Sequence, residues 1–150
     1  KNGLNNMVRE LAIETGMPFV TYRWPGGMLT NFETLKKQIK KFNDLEKKTT
    51  SEDWETLSKK EKSTTNKEIA KLNKNFEGVK NILKVPDSVF IIDTETEKTA
   101  VLEARKMKLP IIAIVDTNSN PSLVDYPIPA NDDAKKAVEL ILSEVKKALS

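Results

Sequence analysis

The chain has 150 residues, of which 38% are hydrophobic, and its formal net charge is +3 at pH 7. It contains neither cysteine nor histidine, which excludes disulfides, thiol catalysis, histidine acid–base catalysis and the usual zinc sites. No apolar run approaches the roughly 18 residues that a membrane-spanning helix needs. This composition suits one globular domain with an appendage.

The chain opens with a predicted helix and a predicted strand. Apolar residues recur at helical spacing over residues 7–12, which predicts a helix over residues 3–15 that ends at Gly16. The following stretch PFVTYR, residues 18–23, predicts a short strand.

The segment RWPGGMLTNF follows that strand and holds two of the chain's five glycines. Gly26 and Gly27 predict a turn off the sheet edge, since glycine adopts backbone angles that other residues resist. The bare backbone would also let main-chain N–H groups approach a phosphate. Arg23 is a candidate for a charge or stacking contact and Trp24 for an anchor. The alternative interpretation makes Trp24 a core residue and Arg23 a surface charge.

Two charged helices with narrow apolar stripes come next. Apolar residues fall three and four apart over residues 32–42, and again over residues 69–83, where they run from Ile69 to Leu83. Ser58 and Glu61 have the spacing of a capping box that opens the second helix, and residues 52–57 predict one short helical turn. We expect residues 30–84 to form an antiparallel coiled-coil hairpin that protrudes from a core made of residues 1–29 and 85–150.

Positive charge is concentrated in this segment. Residues 36–84 carry 14 lysines and 8 acidic residues, hence +6, so the remainder of the chain carries −3 of the total +3. A lysine-rich block favours a polyanionic partner or simple solvation, and the two readings stay open on charge alone. The candidate phosphate contacts on the first helix are Lys36, Lys37, Lys40 and Lys41.

The texture changes after Pro86. Residues 88–93 and 110–116 are near-continuous apolar runs of the kind buried on both faces of a sheet. Residues 95–107 between them predict a helix, with Ala100, Val101, Ala104 and Met107 on one side, so the two strands should be parallel. A third strand is expected at residues 125–128, and a last helix at residues 132–149, capped by Asn131 with an acidic first turn.

Polar residues cluster where these strands end. Asp93 and Asp116 could hold Mg²⁺ for phosphate chemistry at the carboxyl edge of the sheet. A simpler reading makes residues 94–97 a capping box and residues 116–119 a turn. Asn118 and Asn131, in loops on the same edge, offer amides that could meet ribose or phosphate oxygens.

Several of these stretches, in this order, resemble one protein family. RWPGGMLTNFETL, the lysine-rich helices, VPDSVFIID, IVDTNSNP and IPANDDA together are similar to the bacterial-type small-subunit ribosomal proteins of the S2 family. The resemblance covers essentially all 150 residues. It implies a flavodoxin-like α/β fold: a parallel sheet with an inserted, protruding coiled-coil hairpin.

The resemblance also implies a function. Members of that family are structural, not enzymatic, use no cofactor or metal, bind small-subunit rRNA and help dock neighbouring ribosomal proteins, including the S1 protein. The implied location is the small ribosomal subunit in the cytoplasm, or in an organelle. The resulting candidate RNA-binding residues are Arg23, Trp24, Gly26, Gly27, Asn31, Lys36, Lys37, Lys40, Lys41, Asn118 and Asn131.

Two departures from the family pattern stand out. Position 25 is Pro where the family typically has Leu, and the resemblance implies a further N-terminal segment with a strand ahead of residue 1. Two other functions stay open on the residues: a Mg²⁺-dependent phosphate-ester or nucleotide-handling enzyme built on Asp93 and Asp116, and a coiled-coil adaptor that binds only proteins.

Overall fold

The computed structural model describes residues 2–131 and 134–149 as helices packed around a parallel sheet. In chain order the elements are α1 (Asn2–Thr15), α2 (Phe32–Thr49), α3 (Lys59–Phe76), β1 (Val89–Ile92), α4 (Lys98–Lys106), β2 (Ile111–Val115), β3 (Tyr126–Pro129) and α5 (Lys135–Leu149). Short 3₁₀ helices cover Glu52–Thr56 and Pro121–Leu123. No helix in the described ranges is long and apolar enough to cross a membrane.

The sheet has the strand order β1-β2-β3, and both pairs of strands are parallel. Ile91 pairs with Ala113, and Ile114 with Ile128, which confirms the predicted βαβ unit. The central strand β2 is buried at four of its five positions, as its continuous apolar run predicts. β3 is an edge strand, which is the position in a sheet where the missing N–H groups of Pro127 and Pro129 are tolerated.

Helices cover both faces of the sheet. On one face, Ile91 and Ala113 pack with the buried α4 residues Ala100, Val101 and Ala104, and we call this cluster the sheet core. On the other face Ile114 packs with residues of α5, and helix α1 packs over them. The result is a three-layer α/β arrangement with α4 on one side and α1 and α5 on the other.

Helix α1 begins one residue earlier than predicted, at Asn2, and ends where predicted. It ends at Thr15, and Gly16 follows with φ +73°, the left-handed conformation that commonly ends a helix. An ion pair between Glu14 and Lys146 joins α1 to α5.

Helices α2 and α3 pack against each other and are connected by the 3₁₀ helix. The predicted apolar face of α2 is buried, and with Met28, Phe76 and Val79 it forms the helix-pair cluster: Met28, Phe32, Leu35, Ile39, Phe42, Phe76 and Val79. The predicted capping box is present, since Ser58 Oγ accepts from Glu61 N at 3.2 Å and Glu61 Oε2 accepts from Ser58 N at 3.0 Å. In contrast to α2, helix α3 buries only Phe76 fully among its 18 residues.

The predicted strand at residues 18–23 is wrong. The segment is irregular, and its backbone bond to a distant segment runs from Phe19 N to the Gly78 carbonyl at 3.1 Å. A strand exists only through a ladder of such bonds, and no described strand lies alongside to supply one.

Helix α3 is also shorter than predicted. It ends at Phe76, and Leu83, assigned to its apolar stripe, is 82% exposed. The cause is a close backbone contact just past the helix: a Cβ atom on Gly78 would lie 2.1 Å from the Phe19 carbonyl oxygen. Val79 keeps its predicted burial, but in a turn.

Two predicted caps are wrong. No capping box forms over residues 94–97; instead the Asp93 carboxylate accepts from Thr96 N and Thr96 Oγ1, and α4 begins only at Lys98. Helix α5 begins at Lys135, too late for Asn131 to be its N-cap. The acidic pair Asp132 and Asp133 lies outside the described residues.

Candidate nucleic-acid interface

One face of α2 is a row of lysines. Lys37, Lys40, Lys41 and Lys48 line an open groove together with Asp44 and Leu45. At 100° per residue they lie opposite the buried face of the helix, so they point away from the protein. We call these four residues the lysine face.

Most of the lysine face is not neutralised within the protein. Lys41 pairs with Glu68 of α3, but no ion pair involves Lys37, Lys40 or Lys48 in the part of the chain that the structure describes. Lys36, a predicted contact, lies elsewhere: its Nζ is 5.6 Å from the centre of the Phe32 ring and 3.9 Å from Glu33 Oε1. The structure thus brings three of the four predicted lysines together and adds Lys48.

The loop that leads into α2 is a tight run of turns. Asn31 N donates to the Gly27 carbonyl at 2.8 Å, and Leu35 N donates to the Asn31 carbonyl at 3.2 Å, within the first turn of α2. Gly27 has φ +87°, which explains the need for glycine there, whereas a Cβ on Gly26 would meet nothing within 4 Å. Arg23 and Asn31 are exposed at the two ends of this loop.

Trp24 is half-buried and packs against both the sheet core and the helix-pair cluster. Its Nε1–H donates to Glu103 Oε2 at 2.6 Å. The indole is thus fixed inside the protein, which favours the structural interpretation of this residue.

Glu103, the hydrogen-bond partner of Trp24, is not among the residues predicted from the sequence. It is only 8% exposed, and its Oε1 accepts from Leu29 N (3.2 Å), Thr30 N (3.2 Å) and Thr30 Oγ1 (2.9 Å). Burial by itself would raise the pKa of Glu103, but the hydrogen bonds from Trp24, Thr30 and Leu29 outweigh it and lower the pKa below its usual value. The carboxylate is therefore ionised and held by four donors.

Sequence signals for the missed residues exist. Glu103 falls on the apolar face of α4, beside Ala100 and Ala104, where an acid needs partners. Lys48 falls seven residues after Lys41, and therefore on the same face of α2. Tyr22, beside Arg23, is a further exposed aromatic residue, with Lys74 Nζ 5.7 Å from its ring centre.

The carboxyl edge of the sheet forms a separate group. Asn118 and Asn131 are exposed in the loops after β2 and β3, and no hydrogen bond or ion pair in the described ranges links them to the lysine face. Asp116 accepts from Thr117 N at 2.6 Å, so both candidate metal-binding aspartates are engaged in their own turns. Within the described residues, no group of three or more acidic side chains could hold a metal ion.

The sequence matches a known family along its whole length. The model of the family "Ribosomal protein S2" matches residues 1–150. The chain belongs to the Ribosomal protein S2 family.

Three similar proteins carry the same name. The chain is 49% identical to "Small ribosomal subunit protein uS2" of Endomicrobium trichonymphae over 142 residues, 95% of this chain and 58% of the relative. It is 45% identical to the same-named protein of Porphyromonas gingivalis (95% and 51%), and 44% to that of Helicobacter acinonychis (99% and 61%). The chain thus spans a little over half the length of these S2 relatives.

Proposed function

We propose that this protein is a structural constituent of the small ribosomal subunit that binds small-subunit rRNA and has no catalytic activity. The observation that carries the proposal is the lysine face, where Lys37, Lys40 and Lys48 point to solvent and have no acidic partner among the described residues. Membership of the Ribosomal protein S2 family and the names of the relatives support it.

In this proposal the lysine face binds the RNA backbone. Each lysine that meets a phosphate releases condensed counterions, so affinity falls steeply as salt rises. Arg23, Gly26, Gly27 and Asn31 sit on the loop at the start of α2, and there they add shape-dependent contacts. Trp24 acts from inside by holding this loop, and Lys36, Asn118 and Asn131 lie outside the groove and make secondary contacts.

We also propose that the molecule has two parts. Residues 30–84 form a protruding coiled-coil hairpin on a flavodoxin-like core of residues 1–29 and 85–150. The narrow apolar stripe of α3, with one fully buried residue, supports a two-helix hairpin with open flanks. The protein works in the cytoplasm, and its partners are the rRNA, neighbouring small-subunit proteins and the S1 protein.

Equilibrium RNA binding at several salt concentrations, with the full-length protein, tests the proposal. Replacing the lysine face with glutamine should weaken binding to every duplex RNA and flatten the log–log salt slope by about 0.9 for each phosphate that the variant no longer neutralises. The control removes four exposed lysines elsewhere, with the same change in net charge: Lys84, Lys106, Lys108 and Lys136. An equal effect of the two variants would show that only net charge matters, and would contradict the proposal.

Arg23 is expected to behave differently. Replacing it with Gln should weaken binding of the cognate rRNA more than binding of a generic duplex, since the loop meets a particular RNA shape rather than any phosphate. If the variant weakened binding of both RNAs equally, Arg23 would be a phosphate contact without a role in recognising the RNA shape.

The other two functions make opposite predictions. An adaptor that binds only proteins would show no RNA affinity that depends on salt. A Mg²⁺-dependent enzyme would hydrolyse a phosphate ester and lose that activity in Asp93→Asn. The engagement of Asp93 and Asp116 in their own turns gives the enzyme no support.

A further inference from the structure

Glu103 joins two parts of the chain that are far apart in sequence. It lies on α4, yet its four hydrogen-bond donors all belong to residues 24–30. Because two of these donors are consecutive backbone N–H groups, the carboxylate fixes the path of the main chain as well as the Trp24 ring.

This loop leads directly into the lysine face. Helix α2 begins at Phe32, two residues after Thr30, and Lys37 follows within its second turn. Trp24 packs on both the sheet core and the helix-pair cluster, so a shift of the loop would disturb the packing of both clusters. The direction in which α2 leaves the α/β core therefore depends on the bonds to Glu103.

Glu103 is not needed to bury α4. Ala100, Val101 and Ala104 already cover the sheet, and each is at most 2% exposed. An alanine or leucine at position 103 would serve burial as well, and only the loop donors need a carboxylate.

We infer that Glu103 is a positioning residue for the RNA-binding surface: its carboxylate fixes residues 24–30 and thereby the orientation of Arg23 and the lysine face. The inference rests on the proposed function. It assigns the residue no contact with RNA, since it is buried.

The test compares Glu103→Gln with Val138→Ala in the full-length protein. Val138 is fully buried between α5 and the opposite face of the sheet, so its truncation destabilises the fold without contact to the loop. Both variants are measured well below their unfolding temperatures, against cognate rRNA and a generic duplex at several salt concentrations. Glu103→Gln should bind the cognate rRNA about tenfold more weakly, with a flatter salt slope, because the loop keeps its fold but loses its alignment. Val138→Ala should leave affinity and slope unchanged.

A second variant guards against a Glu103→Gln protein that does not fold. Thr30→Val removes the Oγ1 donor to the carboxylate, at an exposed position, and should lower cognate affinity about threefold in the same direction. Unchanged cognate affinity in Glu103→Gln, or in Thr30→Val where the former is unfolded, would overturn the inference. If the lysine-face variant leaves the salt slope unchanged, the proposed RNA surface itself is wrong. A lysine effect without a Glu103 effect would overturn this inference alone.

Discussion

The sheet and the helix pair use apolar residues in different ways. In β2 four of five residues are buried, whereas in α3 one of 18 is buried. The sheet is therefore held by packing on both faces, and the helix pair by one stripe and by contacts at its base. In the proposed hairpin of residues 30–84, which we call the arm, few residues of α3 are needed for burial, so that helix can carry charge outside the core.

The base of the helix pair is tied at both ends. Glu103 holds the loop ahead of α2, and past the end of α3 Gly78 packs on Phe19 while Glu77 pairs with Arg9. These contacts join the pair to two helices, α4 and α1, and to the irregular segment of residues 18–23. The comparison predicts that changes in the core and at the base have large effects, and that changes along the arm have small ones.

The largest expected effect comes from truncating the sheet. Ile114→Ala, at a fully buried position of β2, should lower the free energy of unfolding by about 4 kcal/mol, because it leaves a cavity between the sheet and α5. Leu72→Ala, on the partly buried stripe of α3, should lower it by about 1 to 2 kcal/mol. Urea unfolding curves of both variants measure the difference. Equal losses would mean that the helix pair is packed as tightly as the core.

The second prediction concerns the close contact at the base. Gly78→Ala should lower the free energy of unfolding by about 3 kcal/mol, because the new Cβ would lie 2.1 Å from the Phe19 carbonyl oxygen and backbone must move. Gly26→Ala is the control, since its Cβ meets nothing within 4 Å, and it should change stability by at most about 0.5 kcal/mol. A Gly78→Ala protein as stable as the control would show that the base adjusts freely.

The third prediction is a pH dependence at the other anchor. Glu103→Gln should lower the free energy of unfolding by about 2 kcal/mol at neutral pH, because the charged acceptor of four hydrogen bonds is lost. The groups facing the carboxylate are the Trp24 indole, two backbone N–H groups and the Thr30 hydroxyl; none of them is charged or titrates in acid. Since folding lowers the pKa of Glu103, its stabilisation is present above the ordinary value of 4.5 and is lost as pH falls through the lowered pKa. The difference in the free energy of unfolding between wild type and Glu103→Gln should therefore narrow as the pH falls below 4.5. A difference that stays constant over this range would contradict the assignment.

The elements that the sequence predicts correctly are those that burial alone defines. The runs at residues 88–93 and 110–116 and the stripe of α2 became strands and a helix, because each carries its own apolar periodicity. Residues 18–23 show the opposite case. Their aromatic and β-branched residues suit a strand, but a strand also needs a neighbour to pair with, and no described strand lies alongside them.

The predicted ends of two helices are wrong for a related reason. Thr94 and Glu97 have the spacing of a capping box, yet the N–H that the box needs, that of Glu97, donates to the Asp93 carbonyl oxygen at 3.1 Å, and the Asp93 carboxylate takes the N–H of Thr96. Leu83 continues a helical stripe in sequence, but the contact between Gly78 and Phe19 ends the helix first. In the candidate site, spacing on α2 predicted three lysines of the face, while Glu103 depended on tertiary contacts that no local pattern contains.

The smallest expected effect lies at the far end of the arm. Ser58→Ala removes the side-chain acceptor for Glu61 N and breaks the capping box that opens α3, a loss of about 1 kcal/mol. If helices α2 and α3 form the proposed hairpin, opening at its tip should be local, and the change should appear there and not in the global transition. Native-state hydrogen exchange should show amides in the first turns of α3 opening about fivefold more often, while the urea midpoint and the exchange of β2 amides stay unchanged. Ser63→Ala, at an exposed interior position of the same helix, is the control and should change neither. A Ser58→Ala effect that spread equally to β2 would mean that arm and core unfold as one unit, and the contrast between the two regions would then hold for burial but not for stability.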